Sequence, residues 1–189
     1  MLNNTKLDLF LKKNKKKKIV LCHGVFDLLH IGHINYLKKA KSLGDVLIVS
    51  LTAKKFVNKG FDRPIFNDNE RYSFLKNISF INFVHIEKNE TAVEVIKKIK
   101  PTFYCKGKDF LNQKNDLTNN IIREIKETEK YGGKFKVIHT KMFSSSSLIN
   151  DRIKNYTKAQ KKILSDVRKE LNPNKIIEIK NKLKESEVT

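Results

Sequence analysis

Short β-branched runs alternate with helix-period segments through the middle of the chain, and this alternation constrains the fold more than any other feature. Residues 19–22 lead into Gly24, and residues 33–43 carry Ile34, Leu37 and Ala40 at helical spacing until Gly44 stops them. Residues 45–51 are almost wholly apolar, as in a parallel strand buried on both faces. Asn67 stands three residues before Glu70, a capping-box pattern that predicts a helix from there to residue 77. Further strands are predicted at 81–86, 102–106 and 134–140. Helices are predicted from Thr91 through 99, ended by Pro101, at 119–131, stopped by Gly132 and Gly133, and at 144–156. Such alternation implies right-handed βαβ units and an α/β, doubly wound parallel sheet of five strands. Ligands of these sheets sit outside the carboxyl ends of the strands, where strand order reverses, so functional residues are expected just after strands.

The chain has 189 residues, enough for a packed core without a staple of metal or disulfide. With 2 cysteines it is no disulfide framework, and a reducing, cytoplasmic setting is expected. Cys22 and Cys105 fall on the first and fourth strands, where buried small apolar side chains are the default. No apolar run is long enough for a membrane helix, and no apolar stretch in residues 1–18 suggests a signal peptide. Residues 1–17, with the lysine run 12–18, are expected to be a basic, mobile or solvated lead-in to a domain over 18–156. Residues 157–189 are expected to be a charged helical extension, broken at Asn172-Pro173, that serves as a linker or a dimer contact or is a frayed tail.

The net charge of +20 raises a second class of function, nucleic-acid binding. More than half of that excess, +11, comes from residues 1–18 and 153–189, and only 5 of the 40 basic residues are Arg. Nucleic-acid readers lean on Arg for bidentate base and phosphate contacts. The charge therefore reads better as solvated surface that attracts small anions.

The chemistry concentrates in His23-Gly-Val-Phe-Asp-Leu-Leu-His-Ile-Gly-His33, between the first strand and the first helix of the alternation. Gly24 and Gly32 let the backbone approach a ligand closely. Exposed N–H groups at a helix start favour an anion, and His30 and His33 stand at that positive end. The pattern suits charge stabilisation on a phosphate better than zinc, for which no HExxH or CxxC spacing exists.

This string resembles the HxGH signature of the cytidylyltransferase-like nucleotidyltransferase superfamily, and three more segments follow in that superfamily's order. Phe66-Asn-Asp-Asn-Glu-Arg71 is similar to its Glu-Arg segment. Pro101-Thr-Phe-Tyr-Cys-Lys-Gly-Lys-Asp-Phe110 is similar to its Lys-Gly-x-Asp segment. Phe143-Ser-Ser-Ser-Ser-Leu-Ile149 is similar to its Ser/Thr-rich turn. The resemblance covers about residues 18–152. It implies a Rossmann-like fold and a reaction in which an NTP and a phosphate monoester give an NDP-linked product and pyrophosphate. It further implies His30 and His33 as catalytic residues on the triphosphate, with Lys59 and Arg71 as phosphate-binding cations. Gly24, Val25, Phe26, Asp27, Gly32, Lys106, Gly107, Asp109, Ser144, Ser145 and Ser146 would line the nucleotide site. Within that set Lys106 would face the substrate phosphate and the three serines the β/γ-phosphates, while Asp27 would orient a histidine or the loop, or serve as a cap. Mg²⁺ is expected to ride with the triphosphate, with no direct protein ligand.

Within the superfamily, residues 106–110 and the run from Gly132 to the serines look most like the adenylyltransferase domain of bifunctional heptose-phosphate kinase/adenylyltransferases. That branch makes ADP-heptose for surface polysaccharide. The implied substrates are ATP, or CTP, and a phosphorylated sugar such as heptose 1-phosphate. The implied partners are a second copy in a homodimer and a sugar-kinase domain or protein. The alternative is glycerol-3-phosphate cytidylyltransferase, a family with an Arg-Thr pair where this chain has His139-Thr140. Two departures bear on nucleotide choice: Val25 replaces the usual Thr or Cys, and Lys54 stands near the usual Asp after the second strand.

Overall fold

A computed structural model describes residues 2–57, 63–108 and 120–140. All lie within one unit, Met1–Ser145. The elements run α1 (Leu2–Lys13), β1 (Ile19–Gly24), α2 (Ile31–Lys41), β2 (Val46–Thr52), a 3-10 turn (Lys54–Phe56), α3 (Asp68–Lys76), β3 (Phe83–Glu87), α4 (Val93–Ile99), β4 (Phe103–Gly107), α5 (Asn120–Lys130) and β5 (Lys134–Ile138). The five strands are parallel in the order β3-β2-β1-β4-β5, so strand order reverses between β1 and β4. The expected doubly wound α/β sheet is present. The helix expected at 144–156 and the extension 157–189 lie outside the described residues.

Both faces of the sheet are covered, which is why β2 reads as a continuous apolar run with every residue buried. Cys22, Val49, Val84 and Cys105 pack against Tyr36, Leu37 and Ala40 of α2 and Leu75 of α3. Leu21, Ile48 and Tyr104 pack on the other face against Val95, Ile96 and Ile99 of α4 and Ile121 of α5. Cys22 and Cys105 pair in register across β1 and β4 as buried free thiols. Asn67 and Glu70 form the reciprocal capping box that their spacing predicts.

The lead-in reading of residues 1–17 is corrected. Residues 2–13 form a helix whose Leu7 is fully buried in the second cluster, with Phe10 and Leu11 packed against it. The Phe10 ring lies 4.9 Å from Phe83 of β3, and Lys98 pairs with Asp8 at 3.1 Å. Leu7, Phe10 and Leu11 fall at i, i+3 and i+4, a helical apolar stripe, and the adjoining lysine run hides it. Leu7→Ala should cost about 2–4 kcal/mol, the usual range for emptying a buried Leu site. Urea unfolding checks this. A loss below about 0.5 kcal/mol, the size of an ordinary surface substitution, would return α1 to the status of a solvated arm.

Candidate active site

The loop after β1 delivers the two histidines. His30 is the N-cap of α2, extended at φ −143° and ψ 171°, and its Nδ1 accepts the Gly32 amide N–H at 3.1 Å. An imidazole here performs the capping duty usually left to Ser, Asp or Asn. Because Nδ1 accepts, neutral His30 carries its proton on Nε2, and burial lowers its pKa and favours that neutral form. His33 sits one turn along, its ring centroid 4.0 Å from that of His30 and 5.6 Å from that of Phe26. Phe26 holds a left-handed backbone, φ 49°, uncommon for a bulky residue and characteristic of sites that over-determine their geometry. A Cβ on Gly24 would stand 3.3 Å from the Phe26 ring, a tight contact that would require the ring to shift. Two imidazoles thus stand at the positive end of a helix, just beyond the carboxyl end of β1 and beside the reversal of strand order.

Asp27 and Arg71 lie in this region but do other work than direct phosphate contact. Asp27 is buried; Arg63 Nε donates to its Oδ2 at 2.7 Å and the Phe66 amide to its Oδ1 at 3.1 Å. It therefore anchors the segment leading into α3. Arg71, expected as a phosphate-binding cation, is 0 % exposed. Its Nε donates to Phe66 O at 3.1 Å, its Nη1 to Val25 O at 2.7 Å and Thr52 O at 2.9 Å, and its Nη2 to Asp68 Oδ1. The guanidinium is a strut joining the loop after β1, the end of β2 and the start of α3. Four of its five N–H donors are engaged, so we assign it positioning. Val25, a departure from the family pattern in its side chain, contributes its carbonyl to this strut.

Lys106, expected to face a substrate phosphate, is buried near the end of β4 with Nζ 3.4 Å from Glu124 Oε2 of α5. Tyr104 Oη donates to the same Glu124 oxygen at 2.6 Å, and the Ala92 amide to Oε1 at 2.8 Å. Burial pushes the Glu124 carboxyl up, but Lys106, His23 and these hydrogen bonds outweigh it and leave the pKa lowered. Gly32 is buried within α2 and Gly107 ends β4. Lys59, Asp109, Ser144, Ser145 and Ser146 lie outside the described residues. His139 is exposed and His85 is buried.

A set of functional candidates escaped the sequence reading. His23, Ser50 and His85 pair in register across β1, β2 and β3, and Thr52 pairs with Glu87. All five are buried. By strand alternation they share the face of Leu21, Ile48 and Phe83, opposite the face covered by α2. The available signal was a polar residue inside each buried strand's carboxyl-terminal half, as in VLIVSLT and FVHIE. His23 Nδ1 lies 3.1 Å from Ser50 Oγ and its Nε2 3.2 Å from Thr52 Oγ1. Burial above all, with the Lys106 charge, lowers its pKa to about 4 from 6.5. Unfolded chain therefore binds a proton at His23 between these values while folded chain does not, and stability falls as pH drops through 6.5 toward 4. The loss is about 3 kcal/mol. Urea unfolding of the wild type and of His23→Asn at pH 7.5 and 4.5 checks it: the variant should lose that part of the pH dependence. Equal dependence in both would contradict a neutral buried His23.

Among the described residues, no group of three or more His, Cys, Asp or Glu is placed to hold a metal ion, and no helix is long and apolar enough to cross a membrane.

A parallel sheet reversing beside a histidine-bearing helix start defines a class of nucleotide-binding α/β proteins, and comparison narrows it. Residues 21–152 match the family described as cytidylyltransferase-like, and the chain belongs to that family. It is 42% identical over 123 residues to the bifunctional protein HldE of Aliarcobacter butzleri, covering 64% of this chain and 26% of that one. It is 35% identical over 150 residues to the bifunctional protein HldE of Campylobacter curvus, covering 78% and 30%. The chain thus spans between a quarter and a third of the length of these relatives. Among solved structures it is similar to the lipopolysaccharide core biosynthesis protein of Thermoplasma volcanium, with TM-score 0.53, 24% identity, and 68% and 99% of the two chains covered. It is also similar to a pantoate-beta-alanine ligase of Francisella tularensis, with TM-score 0.51, 17% identity, and 85% and 75% covered. At these identities the two structures speak to the fold.

Proposed function

We propose that the chain transfers a nucleoside monophosphate from an NTP, ATP in preference to CTP, to a phosphorylated sugar such as heptose 1-phosphate, releasing pyrophosphate. The observation that carries this reading is the His30–His33 pair at the start of α2, beyond the carboxyl end of β1. The similarity to bifunctional HldE proteins supports the heptose branch, since the sequence resembles their adenylyltransferase domain. Transfer at the α-phosphorus needs the acceptor phosphate oxygen in line with the departing pyrophosphate, and then mostly positioning and charge stabilisation. The His30 Nε2–H, the His33 imidazole and the α2 amide groups supply donors where negative charge grows as the P–O bond to pyrophosphate breaks. Lys59 and the serines 144–146 are proposed to hold the remaining phosphates. Mg²⁺ would neutralise phosphate charge, and the donor set fits an ion carried by the nucleotide: the site offers imidazoles and amides, poor ligands for a hard cation.

The setting proposed is the cytoplasm, as a homodimer, with a sugar kinase as partner domain or protein that supplies the sugar phosphate. The test is pyrophosphate release with Mg²⁺, crossing ATP, CTP, GTP and UTP against sugar 1-phosphates, glycerol 3-phosphate and phosphoalcohols. Release with ATP and heptose 1-phosphate is expected. Release only with CTP and an alcohol phosphate would overturn the branch, and tight, steeply salt-dependent binding of DNA or RNA without any release would overturn the reaction.

A further inference from the structure

Two polar constellations meet at the carboxyl edge of β1 and β2 from opposite faces of the sheet. On one face stand His30 and His33 at the start of α2. On the other stand His23, Ser50, Thr52, His85 and Glu87. They are joined mechanically, since Arg71 Nη1 holds both Val25 O and Thr52 O, and Thr52 Oγ1 contacts His23 Nε2. In-line displacement at the α-phosphorus requires two subsites on opposite sides of the reacting centre. With the triphosphate proposed at the α2 start, the acceptor needs other groups along the same carboxyl edge of the sheet.

The far end of the second constellation carries an unexplained atom. His85 is 7% exposed, and its buried Nδ1 has no hydrogen-bond partner among the described residues. Its Nε2 lies 3.7 Å from Glu87 Oε2, and Glu87 Oε1 accepts from Asn89 Nδ2 at 2.6 Å. With the Nε2 proton turned toward Glu87, Nδ1 is a bare acceptor. Buried polar atoms are almost always paired, so an acceptor left open at a strand's carboxyl end calls for a donor from outside the chain. His85 Nδ1 and the Glu87 carboxylate together offer acceptors side by side, a pattern suited to hydroxyls rather than to a phosphate.

We propose that the His85–Glu87 pair at the end of β3 is the hydroxyl-recognition wall of the acceptor subsite, with His85 Nδ1 accepting a hydrogen bond from a hydroxyl of the sugar phosphate. This rests on the reading of the chain as a sugar-phosphate nucleotidyltransferase and adds a specificity-determining pair to it. Both residues position the acceptor, and neither touches the reacting phosphorus.

The test pairs His85→Asn, whose Oδ1 takes the place of Nδ1 as acceptor, with His85→Gln, which has no acceptor there. His85→Leu removes both ring nitrogens. In pyrophosphate release, Gln and Leu should raise KM for the sugar phosphate about tenfold or more, with KM for ATP and kcat little changed, and Asn should stay near the wild type. Should Leu fail to fold, the Asn and Gln pair carries the result. Equal behaviour of Asn and Gln, or a KM rise shared by ATP, would overturn the proposal. Calorimetric titration of heptose 1-phosphate into the same variants separates this outcome from failure of the reaction itself. A chain that releases no pyrophosphate yet binds the sugar phosphate in a His85-dependent way keeps the subsite and loses the chemistry. Binding indifferent to residue 85 overturns the subsite whatever the chemistry.

Discussion

His33→Ala should lower kcat by about 10²–10⁴-fold, the usual weight of one positioned donor at a charged transition state, with Tm within about 3 °C of wild type. The side chain lies on the first turn of α2, packed at a tilt against His30 and Phe26, and the N-cap of that helix is His30. His30 separates two roles more sharply. Its Nδ1 caps α2, and its Nε2–H is the donor proposed to act on the triphosphate. His30→Ala removes both and should cost about 1 kcal/mol of stability through the lost cap. His30→Asn keeps a good cap and removes the Nε2 donor, so it should hold its Tm and still lose turnover. Steady-state pyrophosphate release and thermal melts of the three variants decide this. A His30→Asn enzyme turning over like the wild type would reduce His30 to a helix cap.

The second large effect concerns Arg71. Arg71→Met takes the guanidinium donors from Phe66 O, Val25 O and Thr52 O and leaves Asp68 Oδ1 with the Lys54 amide alone, and the expected loss is about 3–5 kcal/mol. Arg71→Lys should fail nearly as badly. An ammonium with three donors on a flexible stem cannot serve four acceptors arranged around a planar fork. Urea unfolding together with nucleotide affinity tests the assignment. Arg71→Lys with unchanged stability and weakened ATP binding alone would restore Arg71 as a phosphate-contacting cation. The account predicts the reverse: lost stability first, with activity falling because the loop after β1 and the end of β2 lose their common anchor.

That contrast shows where sequence reading stopped. The strands were legible because each is a short apolar run between turn signals, and the capping box of α3 was legible because it is local. His30 and His33 were legible for the same reason, both lying within one turn of a helix start. The partners of Arg71 lie 46, 19, 5 and 3 residues away, so its spacing from Glu70 in the sequence gave no sign of a strut. The row His23–Ser50–His85 exists only once strand order and register are known, and no pairwise signal in the chain supplies either. The ion pair of Lys106 on β4 was not legible either, because Glu124 arrives from α5. Helix α1 was lost for a compositional reason: seven lysines in residues 1–18 dominate a stripe of three apolar side chains.

These placements assign the site a division of labour. In the proposed reaction the α2 start would present imidazoles and amides to phosphate charge, Arg71 holds the loop that carries them, and Asp27 holds the segment leading into α3. The central claim is that the bond broken joins the α-phosphorus to the bridging oxygen. The most direct measurement follows the label from [α-³²P]ATP and [γ-³²P]ATP, in separate reactions with Mg²⁺ and heptose 1-phosphate. The account predicts α-label in the sugar nucleotide and γ-label in pyrophosphate. The γ-label in the sugar product, with α-label left in ADP, would mean phosphoryl transfer and would contradict it.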